Sequence, residues 1–181
     1  MVALNIVGAF DRAWYSGLVK KLRVKGIQSN LLKLLEDYYQ GRTLRVVTNG
    51  QTSQPSPIQT SLSQGSVLGL ILWNIYIDDL LWQIPTLFTY AFDCILSQSY
   101  SCSESQRAVS KVNRQLRIVR EWVETWQVGF DPEKTQAIVI SRSPDASPAV
   151  SGRLFFGGKI HPLQENVKVL GVTIDCGLGF D

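Results

Sequence analysis

Apolar and polar positions along this chain follow two periods that alternate from segment to segment. Val2-Ala-Leu-Asn-Ile-Val7 reads as a short strand ending at Gly8. Leu18, Lys21, Leu22 and Lys25 then recur at helical spacing and stop at Gly26. Ser29 or Asn30 is placed to cap a second helix, with Leu31, Leu34, Leu35 and Tyr38 turned inward and Gly41 at its end. Thr43 to Thr48, then Asn49-Gly50, then Gln51-Thr-Ser signal a hairpin, because Asn-Gly supplies the positive φ angles of a type I′ turn. From Gly65 onward Val67, Leu68, Ile71, Leu72, Ile75, Tyr76 and Leu80 return every three or four residues, the pattern of a buried helix over Gly65–Leu81.

Leu87–Ala91 and Cys94–Ser97 read as two strands bracketing a tight turn at Phe92-Asp93. Ser103 with Gln106 forms a capping box for the longest helix, whose stripe is Val109, Val112, Leu116, Val119, Trp122, Val123 and Trp126. Thr135–Ser141 reads as a strand and Ser143–Gly152 as a loop. Leu154–Phe156 with Lys159-Ile160 makes a hairpin around Gly157-Gly158, and Val167–Ile174 a last strand. Strands and helices intermingle without strict βαβ alternation, so the expected fold class is α+β.

Composition narrows the classes. With 181 residues, 45% of them hydrophobic, the chain can bury a sizeable core. The longest apolar run, Val67–Ile77, falls well short of the ~20 residues of a membrane span, so a soluble protein is expected. Met1–Ile6 lacks the layout of a signal peptide, and three unevenly spaced cysteines (Cys94, Cys102 and Cys176) suit a reducing compartment. The expected localisation is therefore intracellular rather than secreted. A single histidine, His161, excludes catalysis or zinc binding that needs several. The formal net charge of +3 is mild but uneven. Residues 51–100 carry no Lys or Arg and only Asp78, Asp79 and Asp93 as charges, between two basic flanks.

Five segments in order carry more than their periodicity. Asn5-Ile-Val-Gly-Ala-Phe-Asp-Arg-Ala-Trp14 runs from a strand into a helix, and Gln64-Gly-Ser-Val-Leu-Gly69 opens a helix. Tyr90-Ala-Phe-Asp93 sits at a hairpin turn, Glu133-Lys-Thr135 precedes a strand, and Val169-Leu-Gly-Val172 lies in the last strand. Together they resemble the reverse transcriptases of non-LTR (LINE-type, jockey-like) retrotransposons, over essentially the whole chain.

That resemblance implies a right-hand polymerase palm: an antiparallel sheet with helices packed on one face. Carboxylates on two adjacent strands would hold two Mg²⁺ ions for phosphoryl transfer. The pattern is broken at both carboxylate positions. The first-motif Asp falls on Asn5, and the first Asp of Y-A-D-D falls on Phe92, so Asp93 alone remains as a metal ligand. By the same resemblance Phe10, Gln64 and Gly65 are nucleotide-binding positions, Lys134 is a proton donor to pyrophosphate, and Val169–Val172 belongs to the primer grip. Asp11 and the pair Asp78-Asp79 are expected to be structural. His161 is placed in a hairpin-like stretch, and the cysteines are read as small core thiols.

The expected protein is a partial palm over 1–181, without fingers and thumb. It is a catalytically inactive remnant of a polymerase family. One alternative is a non-catalytic nucleic-acid-binding module that holds RNA or DNA through Arg42, Arg45 and the Arg107–Arg120 face, with no membrane partner. Another retains some polymerase activity through Asn5, Asp93 and a bound cation.

Overall fold

The structure, a computed structural model, describes residues 1–90, 92–141 and 153–177, with Cys102 described by its backbone alone. The helices are α1 (Ala9–Arg12), α2 (Tyr15–Val24), α3 (Ser29–Tyr39), α4 (Val67–Gln83) and α5 (Ser105–Trp126). The strands begin with β1 (Val2–Val7) and four two-residue pieces, β2 (Thr43–Leu44), β3 (Val47–Thr48), β4 (Gln51–Thr52) and β5 (Ser56–Pro57). β6 (Leu87–Tyr90) and β7 (Asp93–Leu96) follow, then β8 (Gly129–Phe130) and β9 (Gln136–Ile138). The last are β10 (Leu154–Phe156), β11 (Lys159–His161), β12 (Leu163–Gln164), β13 (Asn166–Val169) and β14 (Val172–Asp175). Two compact units emerge, Met1–Ala9 with Asp79–Asp181, and Phe10–Asp78.

The first unit is built on a six-stranded sheet in the order β12-β9-β1-β7-β6, with β8 also pairing β1. β1 runs antiparallel to β7, β8 and β9, but β12 joins β9 in parallel. The expected antiparallel sheet is therefore mixed. The connection 139–162 explains this, being longer than the dozen or so residues that a parallel crossover needs.

Strand alternation sorts β1 into two faces. Val2, Leu4 and Ile6, each 2% exposed, point one way. Ala3 and Asn5 point the other. Across the ladder Leu96 and Cys94 share the buried face, while Ile95 and Asp93 share the opposite one. Helix α5 lies against the buried face, where Val109 and Val112 line a small void with Val2. Its Trp122 indole N–H donates to Asp79 Oδ1 at 2.9 Å, and Gln115 Nε2 donates to Thr86 Oγ1 at 2.9 Å. Burying each such aliphatic side chain contributes about 1.5–3 kcal/mol.

The opposite face is half covered by the β13–β14 hairpin, whose Val167 and Val169 pack with Ile138, Ala3 and Ile95. The sequence predicted one strand over Val167–Ile174. It is two, because Leu170 (φ 51°) and Gly171 (φ 85°) turn the chain back. Continuous apolar alternation hid the turn, and Leu170 is an unusual residue for the left-handed region. The strand expected over Thr135–Ser141 is shorter, and Asp93 opens β7 instead of lying in the turn. The expected capping box is absent. Ser103 sits inside a 3₁₀ turn over Cys102–Glu104, Glu104 takes the cap position, and Ser101 Oγ donates to Glu104 Oε2 at 2.8 Å. Ser143–Gly152 lies outside the described residues.

In the second unit the Asn49-Gly50 turn forms as expected, with φ of 48° and 75° between β3 and β4. Helix α3 buries Leu35 as expected, but Leu32 and Tyr39 take the place of Leu31, Leu34 and Tyr38, which are 55%, 64% and 42% exposed. The helix is rotated by about one residue, because Tyr39 stacks on Tyr15 with ring centroids 4.4 Å apart. Its N-cap is Gln28, without a side-chain hydrogen bond. Within α4, Leu72, Trp73, Tyr76 and Ile77 are buried while Val67 and Ile71 are exposed. A helix apolar on every side leaves periodicity nothing to choose between.

Candidate functional site

A cleft of about 410 Å³ opens on the face of the first unit's sheet that α5 does not cover. Asn5 from β1 and Asp93 from β7 stand side by side at its floor because they are register partners, so both side chains leave the same face. Asn5 Nδ2 donates to Asp93 Oδ1 at 3.3 Å, and Asn5 O accepts the Asp131 N–H at 2.9 Å. Lys134 reaches the cleft from the segment before β9, with its ammonium 3.8 Å from the Asp131 carboxylate. Lys168 from β13 and the Leu170-Gly171 turn close the remaining side.

The charges at this cleft cancel. Asp93 and Glu133 are its acidic residues, Lys134 and Lys168 its basic ones. Glu133 is further tied to Lys159. Beneath the floor, burial and then the neighbouring Asp93 charge push the Cys94 thiol well above its ordinary value, so it stays a neutral core group. Cys176, in contrast, is exposed.

Two Mg²⁺ do not fit this arrangement. Mg²⁺ asks for near-octahedral coordination by hard, anionic oxygens. Here the floor offers one carboxylate, already bonded to an amide, while Glu133 is tied to Lys159 and the ammonium groups of Lys134 and Lys168 line the same cleft. Among the described residues, no three acidic, His or Cys side chains gather where they could hold a metal ion.

The other motif residues are distributed as follows. Phe92 does not line the cleft; it sits in the turn before β7, 38% exposed, and its carbonyl accepts the Ile6 N–H at 2.7 Å. Phe10, Gln64 and Gly65 belong to the second unit. There Phe10 is buried, its ring 6.0 Å from that of Trp73, and its carbonyl accepts the Leu62 N–H at 2.7 Å. Gln64 Nε2 donates to Asp11 Oδ1 at 3.2 Å, and Gly65 adopts φ 79°. Gly69 is needed for space, since a Cβ there would stand 2.6 Å from the Ser63 carbonyl oxygen. Asp78 pairs with Lys25 and Asp79 with Trp122, both structural partnerships. His161 is buried in β11, its Nε2 3.1 Å from Phe156 O.

Sequence reading missed Lys168, Glu133 and the Leu170-Gly171 turn as parts of the cleft. The Leu-Gly pair was the available signal for the turn. For Lys168 the signal was its place in a strand alternating with buried Val167 and Val169, which fixes its side chain on the open side.

A sheet whose central strand β1 sets Asn5 beside Asp93 at the start of β7, with a lysine and a hairpin turn at the rim, is consistent with the palm-type fold that the motifs imply. Residues 1–174 match the family model described as reverse transcriptase (RNA-dependent DNA polymerase), and the chain belongs to that family. It is 29% identical over 98% of its length to the RNA-directed DNA polymerase from mobile element jockey of Drosophila melanogaster, covering 20% of that protein. It is 28% identical over 99% of its length to the probable RNA-directed DNA polymerase from transposon BS, of which it covers 20%, and 26% identical over 98% to that from transposon X-element, of which it covers 19%; both are from the same fly. The chain thus spans about a fifth of the length of these relatives. It is a reverse transcriptase domain of the non-LTR retrotransposon kind. Among the described residues no helix is long and apolar enough to cross a membrane.

Proposed function

We propose that this chain is a reverse-transcriptase palm that has lost two-metal phosphoryl transfer. The observation that carries the reading is the Asn5–Asp93 hydrogen bond at the centre of the cleft, where the family's chemistry calls for facing carboxylates. Removing two negative charges, at Asn5 and at Phe92, removes most of the attraction for two dications. A deficit of several kcal/mol follows, and each 1.36 kcal/mol is tenfold in rate. Lys134 is kept at the rim, where the ancestral role would be to protonate the leaving pyrophosphate. Phe10, Gln64 and Gly65 are, on this reading, remnants of a nucleotide-binding wall.

Primer extension by the pure protein tests this. With RNA or DNA templates and Mg²⁺ or Mn²⁺, no nucleotide incorporation is expected. Metal-dependent incorporation that disappears in Asp93→Ala would overturn the proposal.

A further inference from the structure

The first unit has a second concavity that shares no residue with the cleft. It is a groove of about 600 Å³ between the opening turns of α5 and the segment Gln98–Tyr100. Arg107, Lys111, Arg114 and Arg117 line it from the helix. Their spacing of four, three and three residues sets them along one side of α5 over about 15 Å. We propose that this groove binds single-stranded nucleic acid through its phosphates, at a site separate from the template-and-nucleotide cleft of the family.

Four observations support a ligand rather than a solvated helix face. The first is charge imbalance. From Ser105 to Arg120 the helix carries no acidic residue, and the groove's four cations face only Glu104. That leaves a net +3 at the groove, equal to the formal net charge of the whole chain. The second is the state of pairing. Arg107 lies 3.9 Å from Glu104, while Lys111, Arg114 and Arg117 have no ion pair among the described residues. Further along the same helix, Arg120 is bonded to Glu124 at 2.9 Å, which is how an ordinary solvated face is arranged.

The third is position. Arg107 stands in the first turn of α5, where the helix dipole disfavours a cation and favours an anion. A phosphate at this end meets both the dipole and the side chains favourably. The fourth is the opposite wall. Half-buried Tyr100 lines that wall, so an aromatic residue and cations share one groove, the combination by which proteins hold single strands without reading their sequence. Three of the four cations are arginines, whose planar fork suits phosphate oxygens. The other basic candidates are less available. Arg42 is held over the Tyr38 and Tyr39 rings, at 5.0 and 5.8 Å.

Fluorescence anisotropy with labelled 20-mers of oligo(U) and oligo(dT) tests the proposal, and comparing the two separates RNA from DNA as the source of the phosphates. Binding should weaken with salt, with a slope of log affinity against log salt of about −2 to −3 for three or four phosphate contacts. Lys111→Glu with Arg114→Glu, both exposed helix positions, should lower affinity about tenfold or more and flatten the slope by about 2. Lys111→Gln with Arg114→Gln gives the milder loss if the charge reversals disturb folding. Lys20→Glu with Lys33→Glu makes the same charge change at exposed positions elsewhere and should leave affinity within about twofold. Three results would overturn the proposal: no binding at low salt, equal losses from the two charge-reversed pairs, or equally tight binding of polyglutamate, which would make the groove a general anion surface.

Discussion

The two faces of the β1–β7 pair have fared differently, although they alternate residue by residue along the same strands. On the α5 side, Val2, Leu4, Ile6, Cys94 and Leu96 form a buried apolar layer. On the cleft side Asn5 and Asp93 form a half-buried polar pair, and on the function proposed above Asn5 and the turn residue Phe92 occupy positions where the family's motifs carry aspartates. The contrast separates what folds the domain from what makes it react. Core positions contribute burial that cannot be lost cheaply. Paired catalytic carboxylates repel one another until metal neutralises them, so replacing one by an amide relieves the fold while removing the chemistry. Asn5 even gains a hydrogen bond to the aspartate that remains.

Substitutions on neighbouring residues turn this contrast into measurements. Leu4→Ala should cost about 2–5 kcal/mol of unfolding free energy, because a fully packed side chain leaves a cavity. Asn5→Ala, one residue along, should cost about 1 kcal/mol or less, the net worth of one hydrogen bond. Urea denaturation of the two variants compares them directly. Equal losses would mean that the two faces are not energetically distinct.

An effect between these two is expected from Asn5→Asp. It places a second carboxylate directly opposite Asp93, which raises the pKa of one member of the pair in the folded state. The folded protein then holds a proton more tightly than the unfolded chain. Its stability should therefore be full below about pH 4 and fall as pH rises through the raised value. A shift of one to two units corresponds to ~1.4–2.7 kcal/mol at neutral pH. Thermal melts of the variant and the parent chain between pH 4 and 8 measure the difference, which should vanish at the acid end.

The same division explains what could be read from the chain alone. Segments with one apolar face, such as Val2–Val7 and the stripe of α5, were legible because alternation or helical period selected one orientation. The motif spacing also placed Asn5 beside Asp93, since strand order and register follow from the palm resemblance. Orientation was lost where apolar residues occur on every side. In α3 the choice of Leu32 and Tyr39 over Leu31, Leu34 and Tyr38 was settled by the Tyr15–Tyr39 stack, and in α4 the face was set by tertiary packing of Trp73 and Ile77. The Leu170-Gly171 turn was hidden inside a good strand pattern, and with it the rim of the cleft. β12 gave no sign of its parallel pairing, because direction across a long connection is set by the sheet it joins.

The central claim is that Asn5 and Phe92 remove the metal chemistry without removing the fold. Calorimetric titration of Mn²⁺ into the parent chain and into the double variant Asn5→Asp with Phe92→Asp tests it most directly. The double variant should bind Mn²⁺ and gain thermal stability as the ion is added, by about 2.7 kcal/mol at a hundredfold excess over Kd. The parent chain should show neither heat nor stabilisation over the same range. Binding by the parent as tight as that of the double variant would contradict the account, because Asn5 and Phe92 would then not be the positions that decide metal binding.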